Sequence, residues 1–134
     1  MIRFKRMKIL GIDYGRAKVG LAIGVNGFVE PFKVIHYNNE DKLFAEIKNI
    51  VRTEEIEKVV VGISEGEMAK ETNDFVSKLL ETLSVSVDTF DETLTSQEAQ
   101  RISHEAGVPQ KKRHEMEDAY AATIMLQNYL DSDI

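Results

Sequence analysis

The sequence of 134 residues contains no cysteine, no tryptophan, two prolines and three histidines. The absence of cysteine excludes disulfide bonds and every cysteine-ligated zinc site. The three histidines lack the HExxH spacing of zinc hydrolases, so we expect no structural zinc. No apolar run approaches the roughly 20 residues of a membrane helix, and the segment MIRFKRMKIL lacks the apolar centre of a secretory signal. The sequence therefore predicts a cytoplasmic protein without a membrane segment.

Length and charge narrow the class of protein further. A chain of 134 residues has the commonest size of a single domain, so we expect one domain over residues 1–134. Two domains that clamp a nucleotide between them, as in sugar kinases and actin-like ATPases, would not fit. The net charge of -6 argues against a broad basic face that wraps nucleic acid. Local basic patches are still present at residues 3–8 and 111–113, and each is either a solvated segment or a contact to nucleic acid.

The hydrophobic pattern predicts five strands and four helices. Apolar runs indicate strands over residues 7–15, 18–25, 28–37, 57–63 and 85–90. Apolar residues at helical spacing, with cap signals at Asn39 and Thr95, indicate helices over residues 43–51, 75–83, 95–107 and 115–130. Right-handed crossovers would place the fourth strand beside the first. The predicted fold is therefore an α/β protein with a mixed five-stranded sheet, three antiparallel strands followed by parallel crossovers, flanked by helices.

Asp13 is a charged residue at the end of an otherwise apolar strand. An ionised carboxylate in such a place costs several kcal/mol of desolvation unless a partner or a metal compensates it. In open α/β sheets, ligands bind beyond the carboxyl ends of the parallel strands, where the strand order reverses. We therefore predict that Asp13 is a functional residue at this edge of the sheet.

Two further carboxylates are predicted near the same edge. Glu92 follows the fifth strand, and Asp118 lies early in the last helix, where Ala119 and Ala122 would allow close packing on the sheet. Converging carboxylates repel one another unless a divalent cation lies among them, and oxygen ligands favour Mg²⁺ or Mn²⁺. One or two such ions serve phosphodiester hydrolysis, so the pattern indicates a nuclease. The alternative for Glu92 and Asp118 is that each stabilises a helix N-terminus.

The segments GIDYGRAKVGLAIG, VVVG, DETLTSQEA and EDAYAATIMLQNYL, in this order, resemble the YqgF/RuvX family of RNase H-like proteins. The resemblance covers nearly the whole chain. It implies a ribonuclease H-like fold and a metal-dependent nuclease that matures the 5′ end of pre-16S ribosomal RNA in the bacterial cytoplasm. Holliday-junction resolution, by likeness to RuvC, is the older family assignment. The residues that match the family's acidic positions are Asp13, Glu92 and Asp118. Those that match its first glycines are Gly11, Gly15 and Gly20.

The sequence departs from the family pattern at three places. Lys18 stands where the family usually has arginine, Thr93 stands where it has a basic residue, and residues 63–72 replace a Leu-Pro loop. Threonine cannot hold a phosphate in the fork that arginine supplies. The changed loop introduces Glu65 after the fourth strand, next to the first strand by topology. Because the related RuvC resolvases carry an acidic residue on that strand, we predict Glu65 as a further metal ligand.

Basic residues near the predicted site are candidates for binding the nucleic-acid backbone. They are Arg16, Lys18, Lys111, Lys112 and Arg113. Structured RNA in a ribosome precursor is the favoured substrate, and branched DNA cut by a homodimer is the second interpretation. The third is a nucleic-acid or ribosome-associated binding module whose nuclease site has decayed, for which Thr93 and the changed loop are the support. The sequence leaves the choice between monomer and homodimer open.

Overall fold

The computed structural model of the protein describes residues 7–63, 68–91 and 110–132, without the side chains of residues 110–114. In this part of the chain five strands form one sheet, and three helices flank it. The strands are β1 (Lys8–Asp13), β2 (Lys18–Val25), β3 (Phe28–His36), β4 (Lys58–Ile63) and β5 (Ser86–Asp91). The helices are α1 (Glu40–Thr53), α2 (Met68–Thr82) and α3 (Gln110–Ser132). None of these three helices is long and apolar enough to cross a membrane.

The sheet has the strand order β3-β2-β1-β4-β5. β1 pairs antiparallel with β2 and parallel with β4, and β4 pairs parallel with β5. The predicted mixed sheet, with the fourth strand beside the first, is therefore confirmed. The reversal of strand direction falls at β1, which places the end of this strand at the edge where ligands bind in such sheets. A single domain over residues 1–134 stays a prediction.

One face of the sheet packs against α1 and α2 and contains most of the core. Asn39 caps α1, because its side chain accepts a hydrogen bond from the backbone N–H of Lys42. Along β1, Leu10 and Ile12 point to this face because side chains alternate along a strand. Other buried members of the same cluster are Val19, Leu21, Ile35, Leu43, Phe44, Ile47, Val59, Val61, Phe75 and Leu79.

The opposite face of the sheet packs against α3. Met125 and Leu126 of α3 form a second cluster with Ile9 and Val60, which point away from the first face. Glycines on this face allow the helix to lie close to the strands. A Cβ atom at Gly20 would overlap the backbone carbonyl of Asp118, so the helix backbone rests directly on β2 at this point. The buried stripe predicted for the last helix, Ala119, Ala122, Leu126 and Tyr129, is confirmed.

Two helices begin earlier than the pattern indicated. α2 begins at Met68, before the first apolar residue that predicted it at position 75, and α3 begins at Gln110 rather than at the predicted residue 115. Both helices open with polar turns, and apolar periodicity cannot detect a turn that buries little. Lys111, Lys112 and Arg113, predicted in a loop, consequently lie within the first turn and a half of α3. The helix predicted over residues 95–107 lies outside the described residues.

The close contact at Gly20 predicts a large loss of stability in Gly20→Ala. The added methyl group meets the backbone of Asp118 and Ala119, which cannot rotate away, so the free energy of unfolding should fall by about 3 kcal/mol or more. Gly24→Ala is the matched control, because its Cβ would meet only side-chain atoms, the nearest of which are Leu126 Cδ2 at 3.3 Å and Val29 Cγ2 at 3.4 Å. We expect a change below about 1 kcal/mol for this control. Urea unfolding followed by circular dichroism measures both, and equal losses would contradict the proposed contact.

Candidate active site

Asp13 is the last residue of β1 and lies between two residues that have no side chain. Its direct neighbours are Gly20 on β2 and Gly62 on β4. Directly opposed residues of an antiparallel pair point to the same face, so the carboxylate of Asp13 lies on the α3 side, as Gly20 does. The side chain is half-buried. Asp13 thus stands at the carboxyl edge of the sheet, beside the point where α3 crosses β2.

Asp118 is brought to the same place by the packing of α3 on Gly20. Its backbone carbonyl lies against this glycine, which is the register partner of Asp13. The side chain of Asp118 is 28% exposed, but its Oδ2 atom is buried and receives no hydrogen bond from the described part of the chain. The Lys18 ammonium nitrogen lies 3.1 Å from this oxygen, close enough for an ion pair although the angles do not suit a hydrogen bond.

The position of Asp118 in α3 removes the alternative explanation for its charge. It is the ninth residue of the helix, about 12 Å from the helix start at a rise of 1.5 Å per residue. The favourable effect of the helix dipole on an acidic residue falls off within the first turn. Stabilisation of the helix N-terminus therefore does not account for Asp118. A buried carboxylate oxygen without a hydrogen bond needs a cation instead.

The described residues test only part of the predicted metal site. Glu65, Glu92 and Thr93 lie outside them. In the sequence Glu65 is the second residue after β4, and Glu92 and Thr93 are the first two after β5. Within residues 7–63, 68–91 and 110–132, no group of three or more potential ligands gathers around one point. Asp13 and Asp118 are the two predicted ligands in this part. Their oxygen atoms, one of them buried without a hydrogen bond, suit a hard divalent cation such as Mg²⁺ or Mn²⁺.

Two of the predicted nucleic-acid contacts, Arg16 and Lys18, each pair with an acidic residue. Arg16 donates a hydrogen bond of 2.8 Å from Nε to Glu71 of α2 and is largely exposed. The guanidinium of Arg16 beside Glu71 holds the pKa of that carboxyl below its usual value. Lys18 contacts Asp118 instead of standing alone in a turn. Sequence reasoning missed this pair, although the spacing of Lys18 and Gly20 already put both on one face of β2.

The turn between Asp13 and β2 is held by Tyr37, which sequence reasoning did not identify. The Tyr37 hydroxyl donates a hydrogen bond of 2.6 Å to the carbonyl of Gly15, and its backbone N–H donates one of 3.0 Å to Ala17. Burial raises the pKa of the Tyr37 hydroxyl far above its ordinary value, and a hydrogen bond with Tyr14 adds to this. Tyr37 is therefore a neutral phenol, and in this form it fixes the turn that follows Asp13.

We expect Tyr37→Phe to lower the free energy of unfolding by about 1 kcal/mol at pH 8, because the carbonyl of Gly15 loses its donor. The folded protein keeps Tyr37 protonated, whereas the unfolded chain releases this proton near pH 10. The stability that Tyr37 contributes is therefore complete below pH 10 and is lost above it. The difference between wild type and Tyr37→Phe should shrink between pH 8 and 11 in urea titrations.

Tyr120→Phe serves as the control for this experiment. The Tyr120 hydroxyl makes no hydrogen bond within the described ranges, so its removal should leave the free energy of unfolding unchanged at pH 8. A constant difference between wild type and Tyr37→Phe from pH 8 to 11 would show that Tyr37 is not held as a buried neutral phenol.

The chain matches a protein-family model over nearly its whole length. The model RuvX, described as Holliday junction resolvase, matches residues 7–132. A protein of Halothermothrix orenii named "Putative pre-16S rRNA nuclease" is 35% identical over 133 residues, which cover 93% of this chain and 95% of the relative. A protein of the same name from Thermoanaerobacter pseudethanolicus is 35% identical over 135 residues, which cover 94% of this chain and 97% of the relative.

Solved structures of low sequence identity share the fold. RuvC of T. thermophilus in complex with a Holliday junction substrate superposes with a TM-score of 0.63 at 15% identity, over 94% of this chain and 96% of RuvC. The Holliday junction resolvase of fowlpox virus superposes with a TM-score of 0.62 at 12% identity, over 96% of this chain and 100% of the resolvase. These likenesses confirm the predicted RNase H-like fold, since they extend over almost the entire chain.

Proposed function

Because this chain belongs to the RuvX family, we propose that the edge of the sheet at Asp13 and Asp118 is the metal-dependent active site of a nuclease. The family description and the names of the relatives both indicate a nuclease, which is a hydrolase. The observation that carries the assignment to this site is that Asp13 and Asp118 both lie next to Gly20, on the α3 side of the sheet. One of them has a buried oxygen without a hydrogen bond. Structural carboxylates are normally hydrogen-bonded, so this oxygen fits a cation ligand.

We assign the individual residues as follows. Asp13 and Asp118, together with Glu92 and Glu65 from the segments after β5 and β4, hold one or two Mg²⁺ or Mn²⁺ ions. Such ions supply a water nucleophile at neutral pH and stabilise the leaving oxygen of a phosphodiester. The residues that position the backbone of the nucleic acid are Arg16, Lys18, Lys111, Lys112 and Arg113.

The substrate we propose is the precursor of 16S ribosomal RNA at its 5′ end. The support is the shared name of relatives that are 35% identical over almost the whole chain. The net charge of -6 argues against a broad basic face that wraps RNA, so we place the binding at this edge of the sheet. The corresponding partner is a ribosome precursor and the location is the cytoplasm.

Cleavage of Holliday junctions is the second candidate function. It is favoured by the description of the family model and by the fold shared with RuvC bound to such a junction. The same carboxylates would serve both reactions, because each hydrolyses a phosphodiester bond. Symmetric cleavage of a junction needs two sites in one assembly, so this function requires a homodimer. A monomer in solution by sedimentation would favour the RNA substrate.

The test is Mn²⁺-dependent cleavage of two end-labelled substrates, a pre-16S RNA 5′ segment and a four-way DNA junction. Asp13→Asn removes one ligand charge with little change in shape, and we expect it to lower the rate at least about 100-fold. Asp131→Asn is the matched control, because this exposed aspartate lies on α3 about 20 Å beyond Asp118 along the helix. We expect wild-type rates for this control.

Three outcomes separate the functions. Preferential cleavage of the RNA supports maturation of pre-16S rRNA, and preferential cleavage of the junction supports the second candidate. Binding of either substrate by wild type without any Mn²⁺-dependent cleavage would overturn the nuclease proposal in favour of a binding module with a decayed site.

A further inference from the structure

Lys18 is placed by β2 to contact the candidate metal ligand on α3. It is the first residue of β2 and lies two residues before Gly20, so both point to the α3 face. From this position its ammonium reaches Asp118 Oδ2 at 3.1 Å. The register of one strand and the packing of one helix thus bring a lysine and an aspartate together that are 100 residues apart in the sequence.

The two partners of this pair differ in their surroundings. The Lys18 side chain is 45% exposed, whereas Asp118 Oδ2 is buried and receives no hydrogen bond from the residues that the structure describes. The lysine could therefore leave the pair at little cost, since water would hydrate its ammonium. The carboxylate oxygen, in contrast, would be left as a buried charge without compensation, which costs stability. Departure of Lys18 is therefore favoured when another cation takes its place at Asp118.

We propose that Lys18 is a positioning residue that holds Asp118 ready for a divalent ion and competes with that ion for the carboxylate. This inference rests on the proposed function, in which Asp118 is a metal ligand. In the metal-free protein the ammonium neutralises Asp118 and fixes its orientation. When the metal binds, the charge on Asp118 is neutralised by the metal, and the lysine becomes available to a phosphate oxygen of the nucleic acid at the same edge.

Competition of this kind has two measurable consequences. Replacement of Lys18 by an uncharged residue should tighten Mn²⁺ binding, because an ammonium a few ångströms from a divalent cation repels it. The same replacement should destabilise the metal-free protein, because Asp118 loses its only cation among the described residues. A lysine that only binds nucleic acid, or only stabilises the fold, would not tighten metal binding.

The experiment compares Lys18→Met with the wild type by titration calorimetry of Mn²⁺ and by thermal unfolding in EDTA and in Mn²⁺. We expect the Kd for Mn²⁺ to fall about five- to tenfold, and Tm in EDTA to fall by about 3–6 °C. Because tighter binding stabilises the folded state more, Mn²⁺ should raise Tm further in the variant than in the wild type. Lys18→Arg keeps the charge and should restore both wild-type values.

Lys33→Met is the matched control. Lys33 is 46% exposed, close to the 45% of Lys18, and contacts Glu46 at the same distance of 3.1 Å, but Glu46 is not a predicted ligand. We expect its Kd for Mn²⁺ to equal that of the wild type. If Lys18→Met does not fold, Lys18→Gln takes its place with the same expected changes, since glutamine also removes the charge.

The outcomes separate this inference from the proposed metal site. An unchanged or weaker affinity for Mn²⁺ in the uncharged Lys18 variant, while Asp118→Asn weakens Mn²⁺ binding, would overturn the role of Lys18 and leave the metal site intact. Unchanged Mn²⁺ affinity in both Asp118→Asn and Asp13→Asn would overturn the metal site, and with it the competition that depends on it.

Discussion

The close approach of α3 to Gly20 is the constraint on which the site depends. The helix backbone lies where any side chain on residue 20 would be, and this contact fixes Asp118 relative to the sheet. Gly20 is also the register partner of Asp13, so the carboxylate of Asp13 lies next to the same glycine. Gly62, on the other side of Asp13, adds no side chain either. The acidic edge is thus defined by backbone positions in a sheet, which are the most rigid parts of such a fold.

The electrostatic surroundings of Asp118 follow from the packing of α3 on the sheet. Helix packing buries one oxygen of Asp118, and the described chain offers that oxygen a lysine but no hydrogen bond. A carboxylate supported only by an exposed lysine is well suited to exchange one cation for another. The neighbouring turn is held differently, by hydrogen bonds from Tyr37, whose half-buried phenol stays neutral. The site therefore combines a rigid frame with a replaceable charge at Asp118.

Much of the fold could be predicted because its strands are short, apolar and bounded by turn residues. β2 has the predicted bounds, β4 begins one residue later than predicted, and β5 begins and ends one residue later than predicted. The starts of α2 and α3 could not be predicted, since their first turns bury little and leave no periodic signal. Asp13 could be recognised because it is a charged residue at the end of an otherwise apolar strand. Asp118 could be proposed, but only its place nine residues into α3 excludes a role at the helix end.

The sequence by itself determined the order of the elements, the apolar faces and the family, because these depend on residue type and on spacing along the chain. The tertiary structure alone decided that Lys18 faces Asp118, that Arg16 pairs with Glu71, and that Tyr37 supports the turn after Asp13. These partners are between 22 and 100 residues apart in the sequence. No local preference encodes such contacts, because they arise only when strand register and helix packing bring distant positions within a few ångströms.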